Sequence, residues 1–208
     1  MASNNYLKEI KQYNVRQASP SSGKTALIVV DMQRYFEGVA APILENVVAL
    51  LHACRAAGVR VVFTRHGHRD PMKDGGMLTR WWSDLIVHGT LEWALMEDLS
   101  PNPDEPIIDK IRYSAFHGTN LDEWLRRIGI EDLIITGVLT NCCCETTARD
   151  AFVRDYRVFF VADGTATVNE ELHVASLKNL AFGFAHVVDA KSLCAWTKSI
   201  SSRPGEHA

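Results

Sequence analysis

Six short runs of Val, Ile, Leu and Phe constrain this chain more than any other feature. They are TALIVVD (25–31), RVVFTRH (60–66), PIIDK (106–110), EDLIITGV (131–138), RVFFVADG (157–164) and HVVDA (186–190). Each has the length of a strand and little alternation with polar residues, the pattern of strands covered on both faces. Helical patterns separate them, as in PILENVVALLHACRAAG (42–58), TNLDEWLRRIG (119–129) and NEELHVASLKNLAFGF (169–184). This strand–helix rhythm predicts an α/β fold: one domain, a three-layer α/β/α sandwich with a six-stranded parallel sheet. Thr119 or Asn120 can cap the second of those helices and Gly129 can end it, while Asn169 can cap the third. The linker ASPSSGK (18–24) divides the chain into an amino-terminal arm, 1–23, a body, 24–200, and a polar tail, 201–208. The arm is expected to act as a lid or an oligomer contact.

Composition narrows the partners. With 208 residues, 47% hydrophobic, the chain can bury one full core with little left for a second. A net charge of −3 provides no basic field for a phosphate backbone, so no nucleic acid is expected. No signal-peptide core or membrane span of about 18 apolar residues is evident, so a cytoplasmic protein without a membrane partner is expected. Five cysteines, three of them adjacent, make a poor disulfide framework, and none has zinc-site spacing. No metal or other cofactor is expected.

Open parallel sheets bind ligands beyond the carboxyl ends of their strands, so residues there carry the most information. Asp31 closes the first run, Lys110 closes the third, and Cys142, Cys143 and Cys144 follow the fourth. Thr140 or Asn141 can cap a helix whose first turn holds the cysteines, where the helix dipole favours a thiolate. Taken singly, each has a plainer reading: an aspartate after a strand is common turn chemistry, a lysine is often solvated, and a buried cysteine is often an apolar filler. The last reading suits Cys54 and Cys194. Helical phase puts Cys144 with Ala148, Ala151 and Phe152 toward the sheet, but does not choose between Cys142 and Cys143.

From TALIVVDMQ to HVVDAKSL the chain resembles the isochorismatase-like hydrolase superfamily, whose sheet is Rossmann-like. Cysteine-bearing members carry a motif that falls here on Gly137, Val138, Leu139, Thr140, Asn141, Cys142 and Cys143. The resemblance implies Cys143 as nucleophile, Asp31 as general base and Lys110 as the third catalytic residue. It also implies a cis Val138–Leu139 peptide and an oxyanion hole from the backbone N–H groups of Leu139 and Cys143. The function implied is cleavage of a small amide or ureido C–N bond through a thioester. MLTRWWSDL, DKIRYSAFHGTNL and TTARDAFVRD look closer to the isochorismatase branch, which cleaves a vinyl ether without a cysteine, using Asp31 as acid. A third reading, of another class, is a ligand-binding or redox-sensing protein that has lost catalysis. The superfamily also implies a homodimer or homotetramer.

The expected partner is a small-molecule substrate. Candidate contacts are Gln33, two residues past Asp31; Arg65 and His66, after the second run; and an aromatic wall of Trp81, Trp82, Tyr113 and Phe116. Nicotinamidase-like members bind a metal with an aspartate and histidines near TRHGHRDP, but Arg65 stands where the acid is expected. His117 and Arg112 carry no clear assignment.

Overall fold

A computed structural model describes residues 3–202. In chain order its strands are β1 (Thr25–Val30), β2 (Arg60–His66), β3 (Ile107–Lys110), β4 (Asp132–Val138), β5 (Arg157–Ala166) and β6 (His186–Val188). All pair in parallel, in the order β3-β2-β1-β4-β5-β6. The six apolar runs thus become the six strands of a single sheet. The order reverses between β1 and β4, and the crevice at that switch point is where such sheets bind ligands.

The helices are α1 (Ser3–Glu9), α2 (Glu37–Ala40), α3 (Leu44–Ala56), α4 (Pro71–Asp74), α5 (Met77–Trp81), α6 (Leu121–Arg127), α7 (Glu145–Val153), α8 (Glu170–Gly183) and α9 (Ala190–Ser201). Period-two alternation assigns the two faces of the sheet. Ala26, Ile28 and Val30 of β1 meet Leu121, Leu125, Ala148, Ala151, Leu177 and Leu180 from α6, α7 and α8 on one side. Leu27 and Val29 meet Val47, Leu50, Leu51, Cys54, Ala190 and Leu193 from α3 and α9 on the other. Because β1 and β4 are buried at every position, they lack polar alternation.

Several boundaries differ from the sequence reading. The arm is packed onto the body: Ile10 is fully buried in the core, Asn14 Nδ2 donates to Val187 O, and Lys178 pairs with Glu9 across the surface. Residues 1–2 of the arm and 203–208 of the tail lie outside the described residues. Residues 34–56 have the length and mean hydropathy of a membrane span. They run instead as short helical pieces into α3, whose apolar stripe faces the sheet. Asn169 caps α8 by accepting from Leu172 N. At α6 the cap is Thr119, whose Oγ1 accepts from Leu121 N, and not the Asn120 side chain.

Candidate active site

Asp31, one residue past β1, takes φ +47°, a left-handed conformation that aspartate tolerates better than most residues. Its backbone N–H stays tied to Thr64 O of β2, and Thr64 Oγ1 donates to its Oδ1 at 2.6 Å. Its other oxygen lies 2.7 Å from Lys110 Nζ, at the end of β3, with both side chains fully buried. Lys110 also donates to Cys143 Sγ at 3.3 Å and to Arg112 O at 3.1 Å. Three residues far apart in sequence therefore meet around one ammonium group.

Close approach of β1 and β4 makes this meeting possible. Gly137 has φ +111°, and a Cβ there would fall 2.0 Å from Val30 O. Beyond it the Val138–Leu139 peptide is cis. Thr140–Cys144 form a single π-helical turn that runs directly into α7. Neither Thr140 nor Asn141 caps this turn: Thr140 Oγ1 is hydrogen-bonded to His173 Nδ1, and Asn141 Oδ1 accepts from Thr167. The N–H groups of Cys142 and Cys144 both donate to Leu139 O. Among the three cysteines, Cys144 is fully buried in the core, and Cys142 and Cys143 line a cavity.

Charge in the site is matched internally. Burial works against the Lys110 cation more than any other single influence, but the Asp31 carboxylate, helped by the acceptor sulfur of Cys143, outweighs it and raises its pKa. The Cys143 thiol is pushed well above its ordinary value, first by burial and then by Asp31, with Lys110 opposing. The resting group is a thiol beside an ion pair. His66 is driven down to about 4, by burial first and then by Lys110, so its imidazole is neutral near pH 7.

The cavity above Cys143 has a volume of about 360 Å3. Tyr35, Phe36, Val39, Leu78, Trp82, Leu85 and Ile86 form most of its wall, with His66, Asp84, Tyr113, Leu139 and Val168 completing it. Trp82 Nε1 donates to Tyr113 OH at 2.8 Å, and Tyr35 OH donates to Asp84 Oδ2 at 3.0 Å. These two bonds tie the segment after α5 across the cavity mouth.

Of the candidate contacts, His66 and Tyr113 line the cavity, together with Leu139 and Cys143. Trp82 lines it as well, whereas Gln33, Arg65, Phe116 and Trp81 lie elsewhere. Gln33 is fully buried, and its amide clamps the backbone, donating to His66 O and Trp93 O and accepting from His66 N. Arg65 forms a two-pronged pair with Asp109 and lies over the Trp93 ring, 3.6 Å from its centroid. Phe116 is a core residue stacked on Tyr156. Trp81 points outward at 74% exposure, and its neighbour Trp82 is the cavity residue. Tyr35, Phe36 and Asp84 were missed in the sequence because they come from irregular segments without periodicity.

Asp31, His66 and Cys143 present donor atoms within 4.8 Å of one another, a spacing that would suit a metal. The Lys110 ammonium fills the cation's place between two of them, His68 Nδ1 is held by Asp74, and Arg65 is spent on Asp109. These residues do not fit the metal site of nicotinamidase-like proteins.

A parallel α/β sheet carrying a buried acid, an ammonium and a thiol at its strand ends, beneath a largely apolar cavity, defines a hydrolase of the cysteine type. The chain belongs to the isochorismatase family: residues 25–192 match the isochorismatase domain. It is 48% identical over 187 residues to nicotinamidase 3 of Arabidopsis thaliana, covering 88% of this chain and 93% of that protein. It is 34% identical over 181 residues to the isochorismatase of Bacillus subtilis (strain 168), covering 84% of this chain and 58% of that longer protein. A cysteine hydrolase from Pseudomonas syringae pv. phaseolicola 1448A superposes with a TM-score of 0.85 at 30% identity, over 88% of this chain and 97% of that one.

Proposed function

We propose that the protein hydrolyses a small, uncharged carboxamide through a thioester on Cys143, with a carboxamide on a flat ring, as in nicotinamide, as the best fit. The observation that carries this reading is Lys110 Nζ poised 2.7 Å from Asp31 and 3.3 Å from Cys143 at the edge of an aromatic cavity. Asp31 accepts the thiol proton as Sγ attacks the amide carbon, so charge separation is avoided until substrate is in place. Lys110 remains protonated and stabilises negative charge as it moves between oxygen and sulfur. The oxyanion is received by the N–H groups of Leu139 and Cys143. This fits the turn's hydrogen bonding, in which the flanking N–H groups of Cys142 and Cys144 are already committed to Leu139 O. Protonated Asp31 then gives its proton to the leaving nitrogen, ammonia departs, and Asp31 deprotonates the water that cleaves the thioester.

Vinyl-ether cleavage remains the competing chemistry, favoured by the identity to the Bacillus enzyme and requiring Asp31 but no thiol. One comparison separates them: product formation from nicotinamide, a ureido acid and isochorismate by wild type and Cys143→Ala. Ammonia release that disappears in the variant, with an acyl adduct on Cys143 detected by mass spectrometry after acid quench, is the expected result. Amide turnover undiminished in Cys143→Ala would overturn the thioester. Isochorismate cleavage surviving in that variant would establish the vinyl-ether reaction.

A further inference from the structure

Charge around the cavity does not cancel everywhere. The Lys110 cation is matched by Asp31, and Arg65, on the neighbouring strand end, is matched by Asp109. Asp84 also lines the cavity, and among the described residues no Lys, Arg or His pairs with it; its partner is the Tyr35 hydroxyl, which donates at 3.0 Å. No lysine or arginine lines this cavity. A ligand entering it therefore meets aromatic and aliphatic surface, a neutral imidazole and one unbalanced carboxylate.

We propose that Asp84, held over the cavity by Tyr35, is the specificity-determining residue of this site: it admits uncharged amides, turns away substrates that already carry a carboxylate, and weakens binding of the acid that hydrolysis produces. This rests on the amidase reading above. Hydrolysis of a neutral amide creates a negative charge that the substrate lacked, so a fixed carboxylate at the mouth distinguishes product from substrate by that charge alone. Two carboxylates roughly 6–8 Å apart in a partly hydrated site repel enough to reduce affinity about fivefold. The effect is screened by salt because Asp84 is exposed. Tyr35 is a positioning residue, since it fixes where the charge sits without altering it.

The test is calorimetric binding of nicotinamide and nicotinate to Cys143→Ala protein, in three backgrounds: no further change, Asp84→Asn, and Tyr35→Phe. Thermal unfolding confirms that each protein is folded. Asp84→Asn is expected to shift the nicotinate-to-nicotinamide affinity ratio toward the acid by about fivefold, and raising ionic strength from about 0.05 to about 0.5 M is expected to erase most of that shift. Tyr35→Phe is expected to give a smaller shift of the same sign. A ratio unchanged within about twofold in Asp84→Asn overturns the proposal, as does failure of both compounds to bind. Turnover by the enzyme with Cys143 intact is a separate readout: absent amide hydrolysis with an intact charge-dependent ratio defeats the catalytic reading and leaves the charge filter standing.

Discussion

Removing the Lys110 ammonium should damage stability and chemistry together, and the two effects can be separated. In Lys110→Met the alkyl stem is largely preserved, but Asp31 is left as a fully buried carboxylate facing a thiol. At 2.7 Å and an effective dielectric of about 20 the gross attraction is about 6 kcal/mol, most of it offset by desolvation of both ions. Deleting one partner of a buried pair costs about 3–5 kcal/mol, because the other is stranded. For a chain of this size that lowers Tm by roughly 10 °C. Asp31→Asn strands the ammonium instead and should cost a similar amount, while Thr64 retains a side-chain acceptor. The double variant Asp31→Asn/Lys110→Met leaves no buried ion at this site and should recover at least about 2 kcal/mol relative to the sum of the singles. Urea unfolding of all four proteins at one fixed concentration measures this coupling. Alkylation of Cys143 by iodoacetamide reports the chemistry separately, and should slow in Lys110→Met because the group that opposes the raised thiol pKa is gone. Coupling below about 0.5 kcal/mol would refute the claim that Asp31 and Lys110 act as one buried pair.

The His66 imidazole binds its proton at about 4 in the folded chain against about 6.5 unfolded, so stability is full above the unfolded value and falls as pH drops toward 4. The loss attributable to this residue is at most about 3 kcal/mol, and the difference between wild type and His66→Gln in urea titrations from pH 7 to about 4 isolates it; parallel curves would contradict the assignment. Gly137→Ala should fail to give soluble, cooperatively folding protein, since the added Cβ meets Val30 O at 2.0 Å and the backbone sits at φ +111°; circular dichroism and thermal unfolding decide this. Trp82→Ala should raise KM for the amide about tenfold through lost aromatic contact and the lost bond to Tyr113, whereas Trp81→Ala should change it less than about twofold. Steady-state kinetics on the two variants check whether the inward and outward tryptophans are assigned correctly.

The sheet was legible in the sequence because burial on both faces removes polar alternation, and that signature is local. Asp31 and Lys110 were legible for a related reason, as charged residues interrupting apolar strand ends where the fold brings ligands. Choosing Cys143 over Cys142 was beyond periodicity: the cysteines sit in a π turn, where the α-helical spacing used to phase them does not hold. Resemblance supplied that choice. The cavity wall was harder still. Trp81 and Trp82 are adjacent and chemically identical, and only the extended conformation at Trp82, ending α5, sends one outward and the other toward Tyr113. Gln33 and Arg65 looked available because their partners, the His66 and Trp93 backbone and the Asp109 carboxylate, lie 33 or more residues away in sequence.

The isochorismatase-like wording of the flanking segments has a structural explanation that leaves the chemistry to residue 143. DKIRYSAF and TTARDAF are two halves of one clamp. Ser114 Oγ donates to Asp150 Oδ2 at 2.6 Å, Ala115 N donates to Thr147 Oγ1 at 3.0 Å, and Arg154 pairs with Asp150 while its guanidinium lies 5.1 Å from the Phe116 ring centroid. These bonds fasten the loop that follows Lys110 to the helix that follows Cys143. They therefore fix the distance between β3's ammonium and whatever occupies the π turn. A protein that needs Asp31 and Lys110 held in register would keep this clamp whether or not its turn carried a thiol. The same text in both branches is then a record of shared positioning, and the atom presented to the substrate at position 143 decides whether a thioester can form.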